Sequence, residues 1–221
     1  MTANENLGTR RRLLMRLFVS GIVLALWFWT QSLIGARVAP TNGIGDALHN
    51  ATAGLNSYFS QHTEAANALL IVSSGLIDAL GLFLLGRWLF GGSVRPFLGL
   101  FLLMALRQLM QAICALPPPP NMIWHYPGFP SLLVTYHVAN DFFFSGHTAI
   151  AVFGAIELSR LHRKWVTVAA ILLVLFEIAT VLILRAHYTM DVFTGIVAAL
   201  WIAELSERIS PPLDRLIVSD V

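Results

Sequence analysis

Two short stretches concentrate the reactive side chains of this chain: FFFSGHTAI over 142–150 and RAHYTMDVF over 185–193. The first carries Ser145, Gly146 and His147. The second carries His187, Tyr188 and, four residues past the histidine, Asp191. Residues i and i+4 share a helix face, and Cβ atoms tilt toward the helix N-terminus, so this spacing aims Asp191 back at His187. A carboxylate that accepts from one imidazole nitrogen fixes the tautomer and leaves the other lone pair directed outward. That describes an oriented base or nucleophile. His147 is then available for the opposite task, giving a proton to a leaving group. Helix N-termini present unpaired N–H groups and a partial positive charge, which favour anions. Gly146 would let backbone N–H groups approach such an anion, and Ser145 would add a hydroxyl donor. Two residues apart, Ser145 and His147 point different ways on a helix and form no dyad with each other.

The elements that must position these groups are spans of a membrane. Of 221 residues, 57% are hydrophobic and 12% charged, against about 25% charged in soluble domains, and the mean hydropathy is +0.71. A deficit this large along the whole chain predicts an all-α integral membrane protein. The net charge of +2 is too small to suggest a nucleic-acid partner. Apolar runs predict six transmembrane helices, over 13–35, 67–86, 96–116, 142–158, 166–184 and 189–205. The organisation expected is a basic tail over 1–12, a six-helix catalytic domain over 13–208, and a tail over 209–221. The apolar stretch after Arg16 is longer than a signal-peptide h-region and has no clean cleavage site, so it reads as a retained first span. The run Pro117–Pro120 closes the third span. There is no internal repeat. Cys114, the lone cysteine, excludes a disulfide framework and reads as a small buried hydrophobe.

Lys and Arg placement sets the orientation. With the N-terminus in the cytoplasm, eleven basic residues fall inside: Arg10, Arg11, Arg12, Arg16, Arg87, Arg95, Arg160, Arg163, Lys164, Arg208 and Arg215. Only Arg37 and Arg185 fall outside, and Arg107 lies within the third span. Both termini are therefore expected to be cytoplasmic. The fourth and sixth spans then begin at the outer face, which brings His147, His187 and Asp191 to one side of the membrane.

Other polar residues have ordinary readings. Arg107, ~13 Å along the helix axis from the outer end of its span, either binds phosphate or pairs with an acid such as Asp78 or Glu177. Asp141 is a catalytic helper or the N-cap of the fourth span, a position Asp favours. Tyr188 suits an interface. His49, His62, His125 and His137 read as solvated loop histidines, and Trp27, Trp29 and Trp88 as span-end or lipid-facing anchors.

The blocks NDFFFSGHT (140–148) and HYTMDV (187–192) resemble those of the type-2 phosphatidic acid phosphatase superfamily, and within it the sphingomyelin-synthase-like branch. Arg107 followed by LPPP (116–119) is similar to that branch's arginine and Leu-Pro-x-Pro segment. The resemblance is specific over the last 80 or so residues and thin before residue 95. It implies a phosphohistidine on His187, with Asp191 orienting it and His147 as general acid. Arg107, Asp141, Ser145, Gly146 and Tyr188 are the substrate-binding residues expected, with no metal or other cofactor. The superfamily's phosphatase blocks are largely missing: only RP (95–96) remains of Lys-x6-Arg-Pro, and Val181 stands six residues before His187, where Ser-Arg-x5-His has its arginine. The branch's Cys-Gly before its aspartate is Ala139-Asn140 here.

The function expected is a membrane lipid phosphotransferase, moving a phospho-head group from a phospholipid to a lipid alcohol, with the site on the non-cytoplasmic face of a plasma, inner or organelle membrane. The alternative within the same chemistry is a lipid phosphatase or phospholipase C-type hydrolase with water as acceptor. A third class is a metal-binding transporter or intramembrane protease built on the two histidines and Asp191. Against it stand the missing His-Glu-x-x-His helix and the missing pair of broken helices in repeated halves.

Overall fold

The computed structural model describes residues 3–35, 43–136 and 142–217. The regular elements among these described residues are eight helices: α1 Ala3–Gly35, α2 Ala47–Ala51, α3 Ala53–Gln61, α4 Thr63–Leu89, α5 Arg95–Ile113, α6 Gly146–Ser159, α7 Lys164–Ile183 and α8 Thr189–Ile217. Residues up to Gly45, with α1, form one unit, and residues from Asp46 onward form another. In α1 the side chains from Phe18 to Leu33 are exposed, Trp27 and Trp29 among them.

Among the described residues, four helices are long and apolar enough to cross a membrane: α4, α5, α7 and α8. The other two expected spans are shorter. The apolar part of α1 covers Phe18–Leu33, and α6 has only 14 residues. The termini of the elements also move. Helix α1 starts at Ala3 rather than 13, and α8 runs on from the expected 205 to Ile217, through Pro211 and Pro212.

Helix α6 is central. It touches α4, α5, α7 and α8, and most of its residues are buried, as its nearly unbroken apolar composition demands. Phe153 of α6 packs in a core with Leu84 of α4, Leu103 of α5 and Ile202 of α8. At the C-terminal end of α6, Glu157 accepts from Arg95 at 2.9 Å and stands 3.4 Å from Arg160, which also meets Glu207 of α8. Asp214 of α8 accepts the Val94 N–H at 2.6 Å and the Ser93 hydroxyl at 2.9 Å, capping α5. These contacts lock α5, α6 and α8 together at the end away from the histidines. A buried carboxylate such as Glu157 is tolerated because it is paired.

Between α5 and α6 the chain folds back along the bundle. Asp78, near the middle of α4, accepts the N–H groups of Leu132 and Leu133 at 2.8 and 2.9 Å and the Ser131 hydroxyl. The Ser74 and Tyr136 hydroxyls bond to each other beside it. Irregular backbone at the depth of an apolar helix needs such partners, and Asp78 supplies them. Cys114, expected to be buried, is exposed, because it is the C-cap where α5 ends.

Candidate active site

His147 and His187 line one cleft, together with Arg107, Trp124, Thr135, Phe142 and Gly146. Ile77, Met104 and Ile150 of α4, α5 and α6 form its apolar side. The cleft contains about 510 Å³ of space, the open solvent at its mouth included.

His187 does not lie on a helix. It sits in the turn between α7 and α8, where the N–H groups of Ala186 and His187 both point to the Val181 carbonyl, at 2.9 and 3.4 Å. Arg185 adopts φ +54° in the same turn. Helix α8 begins only at Thr189, so the i, i+4 geometry expected for His187 and Asp191 does not apply. Nδ1 of His187 bonds instead to the Phe142 carbonyl oxygen at 2.8 Å, and the nearer Asp191 oxygen is 3.8 Å away. The backbone carbonyl holds the tautomer, leaving Nε2 as the nitrogen free for the cleft. Asp191 contributes charge behind the ring rather than a direct bond.

The same carboxylate starts α8. Its Oδ2 accepts the Tyr188 N–H at 2.9 Å, the backward half of a capping box. The Asp191 carbonyl oxygen accepts the Ser145 N–H at 3.1 Å, which joins the start of α8 to the start of α6. Asp191 is fully buried, and its Oδ1 has no hydrogen-bond partner among the described residues.

Ser145 is the N-cap of α6. Its hydroxyl accepts the Thr148 N–H at 3.3 Å and donates to the Thr148 hydroxyl at 3.0 Å, and it is fully buried. The cap expected at Asp141 is thus four residues later, and Asp141 itself lies outside the described residues, as does His137. His147 follows in the first turn, buried, with Nε2 unpartnered among the described residues, and the Trp124 ring stands edge-on to it at 5.2 Å. Gly146 also makes room for a neighbour. A Cβ there would stand 3.0 Å from Arg107 Nε, so the glycine lets the guanidinium cross the α6 N-terminus. Arg107 Nε donates to the Phe144 carbonyl at 3.0 Å. The two acids considered for Arg107 are engaged elsewhere: Asp78 with 131–133 and Glu177 with the Ser73 hydroxyl at 2.6 Å.

Gly195 was not singled out by the sequence reading. A Cβ on it would fall 2.8 Å from the Ser145 carbonyl oxygen, so α8 can pass the first turn of α6 only without a side chain there. Tyr188 is buried rather than interfacial and stacks on His49, with ring centroids 5.6 Å apart. His49, read as a solvated loop histidine, is buried as well. Its Nε2 is 2.9 Å from the His187 carbonyl oxygen. Of the remaining loop histidines, His62 is exposed and His125 bonds to Asn67 Oδ1 at 2.7 Å. Among the described residues, no three His, Cys, Asp or Glu side chains gather as a metal site would require.

Two matches to known proteins bear on the chain. The model of a family described as AtPDCT1/2 matches residues 46–208. A curated relative from Arabidopsis thaliana, phosphatidylcholine:diacylglycerol cholinephosphotransferase 1, is 22% identical over 193 residues. The aligned stretch covers 87% of this chain and 62% of the relative. No solved structure matches the chain.

Proposed function

We infer the activity from one premise: the chain belongs to the AtPDCT1/2 family. It is a membrane lipid phosphotransferase that moves the phosphocholine head group of phosphatidylcholine to a lipid alcohol, diacylglycerol being the acceptor that the relative's name supplies. The observation that carries the mechanism is the opening of His147 and His187 onto one cleft.

In the first half-reaction His187 Nε2 attacks phosphorus and the bond to the glycerol oxygen breaks. That oxygen takes the proton of His147, and diacylglycerol leaves a phosphohistidine behind. In the second half the acceptor hydroxyl gives its proton to His147. Its oxygen attacks phosphorus, the N–P bond breaks, and both histidines return to their starting states. Asp191 stabilises the positive charge that develops on His187, as a buried carboxylate behind an imidazole does. The Arg107 guanidinium, across the α6 N-terminus, balances the phosphate charge together with that helix end.

The reading includes six spans with α1 and α6 among them, cytoplasmic termini, and the site on the non-cytoplasmic face. It also places the chain with the type-2 phosphatidic acid phosphatases through the SGHT and HYTMDV blocks. In its support, Arg95, Arg160, Arg163, Lys164 and Arg208 gather at the helix ends opposite the histidines, where the positive-inside rule wants them.

The test uses purified protein in vesicles with phosphatidylcholine labelled in the choline and a short-chain diacylglycerol. Wild type is expected to place label in a new short-chain phosphatidylcholine, and His187→Ala and His147→Ala to abolish this while eluting as folded protein. Label released into water would establish hydrolysis instead, and a His187→Ala variant with near-normal transfer would overturn the phosphohistidine.

A further inference from the structure

The turn that carries His187 has left helix α7 and has not yet entered α8; the Ala186 and His187 N–H groups turn back to Val181, but the carbonyls of Ile183 and His187 and the Thr189 N–H are left without helical partners. The partners come from far back in the chain. His49 of α2 places Nε2 at 2.9 Å from the His187 carbonyl oxygen in a buried contact, and with Nε2 protonated it donates to that carbonyl. Asp46 accepts the Thr189 N–H on Oδ2 at 2.6 Å and the Thr189 hydroxyl on Oδ1 at 2.7 Å. Its Oδ1 also takes the N–H groups of Leu48 and His49, at 3.0 and 3.2 Å. One carboxylate thereby caps α2 and the first turn of α8 together. Burial alone would raise the Asp46 carboxyl, but the Thr189 and His49 hydrogen bonds outweigh it and hold it below the usual carboxylate range. Asn56 of α3 donates to the Ile183 carbonyl at 2.9 Å, at the other end of the turn. Arg185 closes the set, donating to the carbonyls of His49 at 3.3 Å and Pro120 at 2.9 Å.

Asp46, His49 and Asn56 do not line the cleft. Their bonds go to backbone on both sides of His187 and to its own carbonyl. We infer that α2 and α3 form a clamp that fixes the His187 backbone, with His49 the positioning residue that sets the place of the imidazole. The clamp rests on the reading in which His187 attacks phosphorus. A nucleophile displaced by about 1 Å loses on the order of 10² in rate, whereas lipid binding on the apolar side of the cleft is untouched by the clamp.

The experiment compares two near-isosteric variants of the full chain in phosphatidylcholine vesicles with labelled diacylglycerol. The Gln amide of His49→Gln can donate where Nε2 does, and His49→Met cannot. His49→Met is expected to lower kcat about 10- to 100-fold with KM for diacylglycerol unchanged, and His49→Gln to restore most of kcat. Wild-type kcat in His49→Met, equal loss in both variants, or a loss confined to KM would overturn the clamp. Should His49→Met not fold, Asp46→Asn, which puts one amide where two acceptor oxygens stood, is read by the same criteria. His187→Ala runs in parallel. If it is inactive while the His49 variants behave as wild type, the clamp alone fails. If it is active, the phosphohistidine reading fails.

Discussion

Asp191 carries three duties on one residue. Its carbonyl holds the Ser145 N–H, one carboxylate oxygen holds the Tyr188 N–H, and its charge lies 3.8 Å from His187 Nδ1. Asp191→Asn separates them, because the Asn carbonyl oxygen still accepts from Tyr188 while the charge is gone. The expected result is a folded protein with α8 intact and kcat lowered on the order of 10², read from labelled-lipid transfer alongside a melting curve. Unchanged kcat would reduce Asp191 to a cap. The residue types were legible in the sequence, since His147, His187 and Asp191 all come to one region. The contact between His187 and Asp191 was not. Helical spacing presumes that both residues are helical, and His187 stops two residues short of α8.

At the scale of elements, the crossing of α6 and α8 is set by Gly195, where a Cβ would meet backbone, the Ser145 carbonyl oxygen, at 2.8 Å. At Gly146 a Cβ would meet the flexible Arg107 side chain instead, at 3.0 Å. Gly195→Ala is therefore expected to cost about 1–3 kcal/mol, the usual cost of overpacking, and to lower kcat by shifting the turn that bears His147. Gly146→Ala should cost less stability. Thermal melting of both variants in one detergent checks the order, and equal melting points would sink the argument. The long helices were readable because a spanning segment must be apolar over its length. Helices α2 and α3 were not. The partners of Asp46 and His49 lie 143 and 138 residues away, and nothing in a short polar stretch reveals a bond to a distant carbonyl. The depth reached by 131–133 was hidden in the same way, behind a single aspartate in α4.

Over the whole molecule, the charges make the orientation testable. In a Cys114→Ser background, a cysteine at Asn121 is expected to react with a membrane-impermeant maleimide from outside intact cells. One at His162, in the α6–α7 turn, should react only after permeabilisation. The reverse pattern would put the site in the cytoplasm. At 14 residues, α6 is about 21 Å long, against about 30 Å of hydrocarbon in a typical bilayer. Its N-terminal turn, with His147, cannot reach the headgroup plane while its other end stays at the opposite one. With the far end of α6 held at the cytoplasmic plane, as the proposed orientation has it, the head group sinks toward the histidines in the proposed reaction, and both lipids arrive by lateral diffusion rather than from solution. The quantity that governs saturation is then the mole fraction of each lipid in the bilayer plane. Diluting the vesicles in buffer leaves the rate per enzyme unchanged, while diluting the substrates with inert lipid slows it.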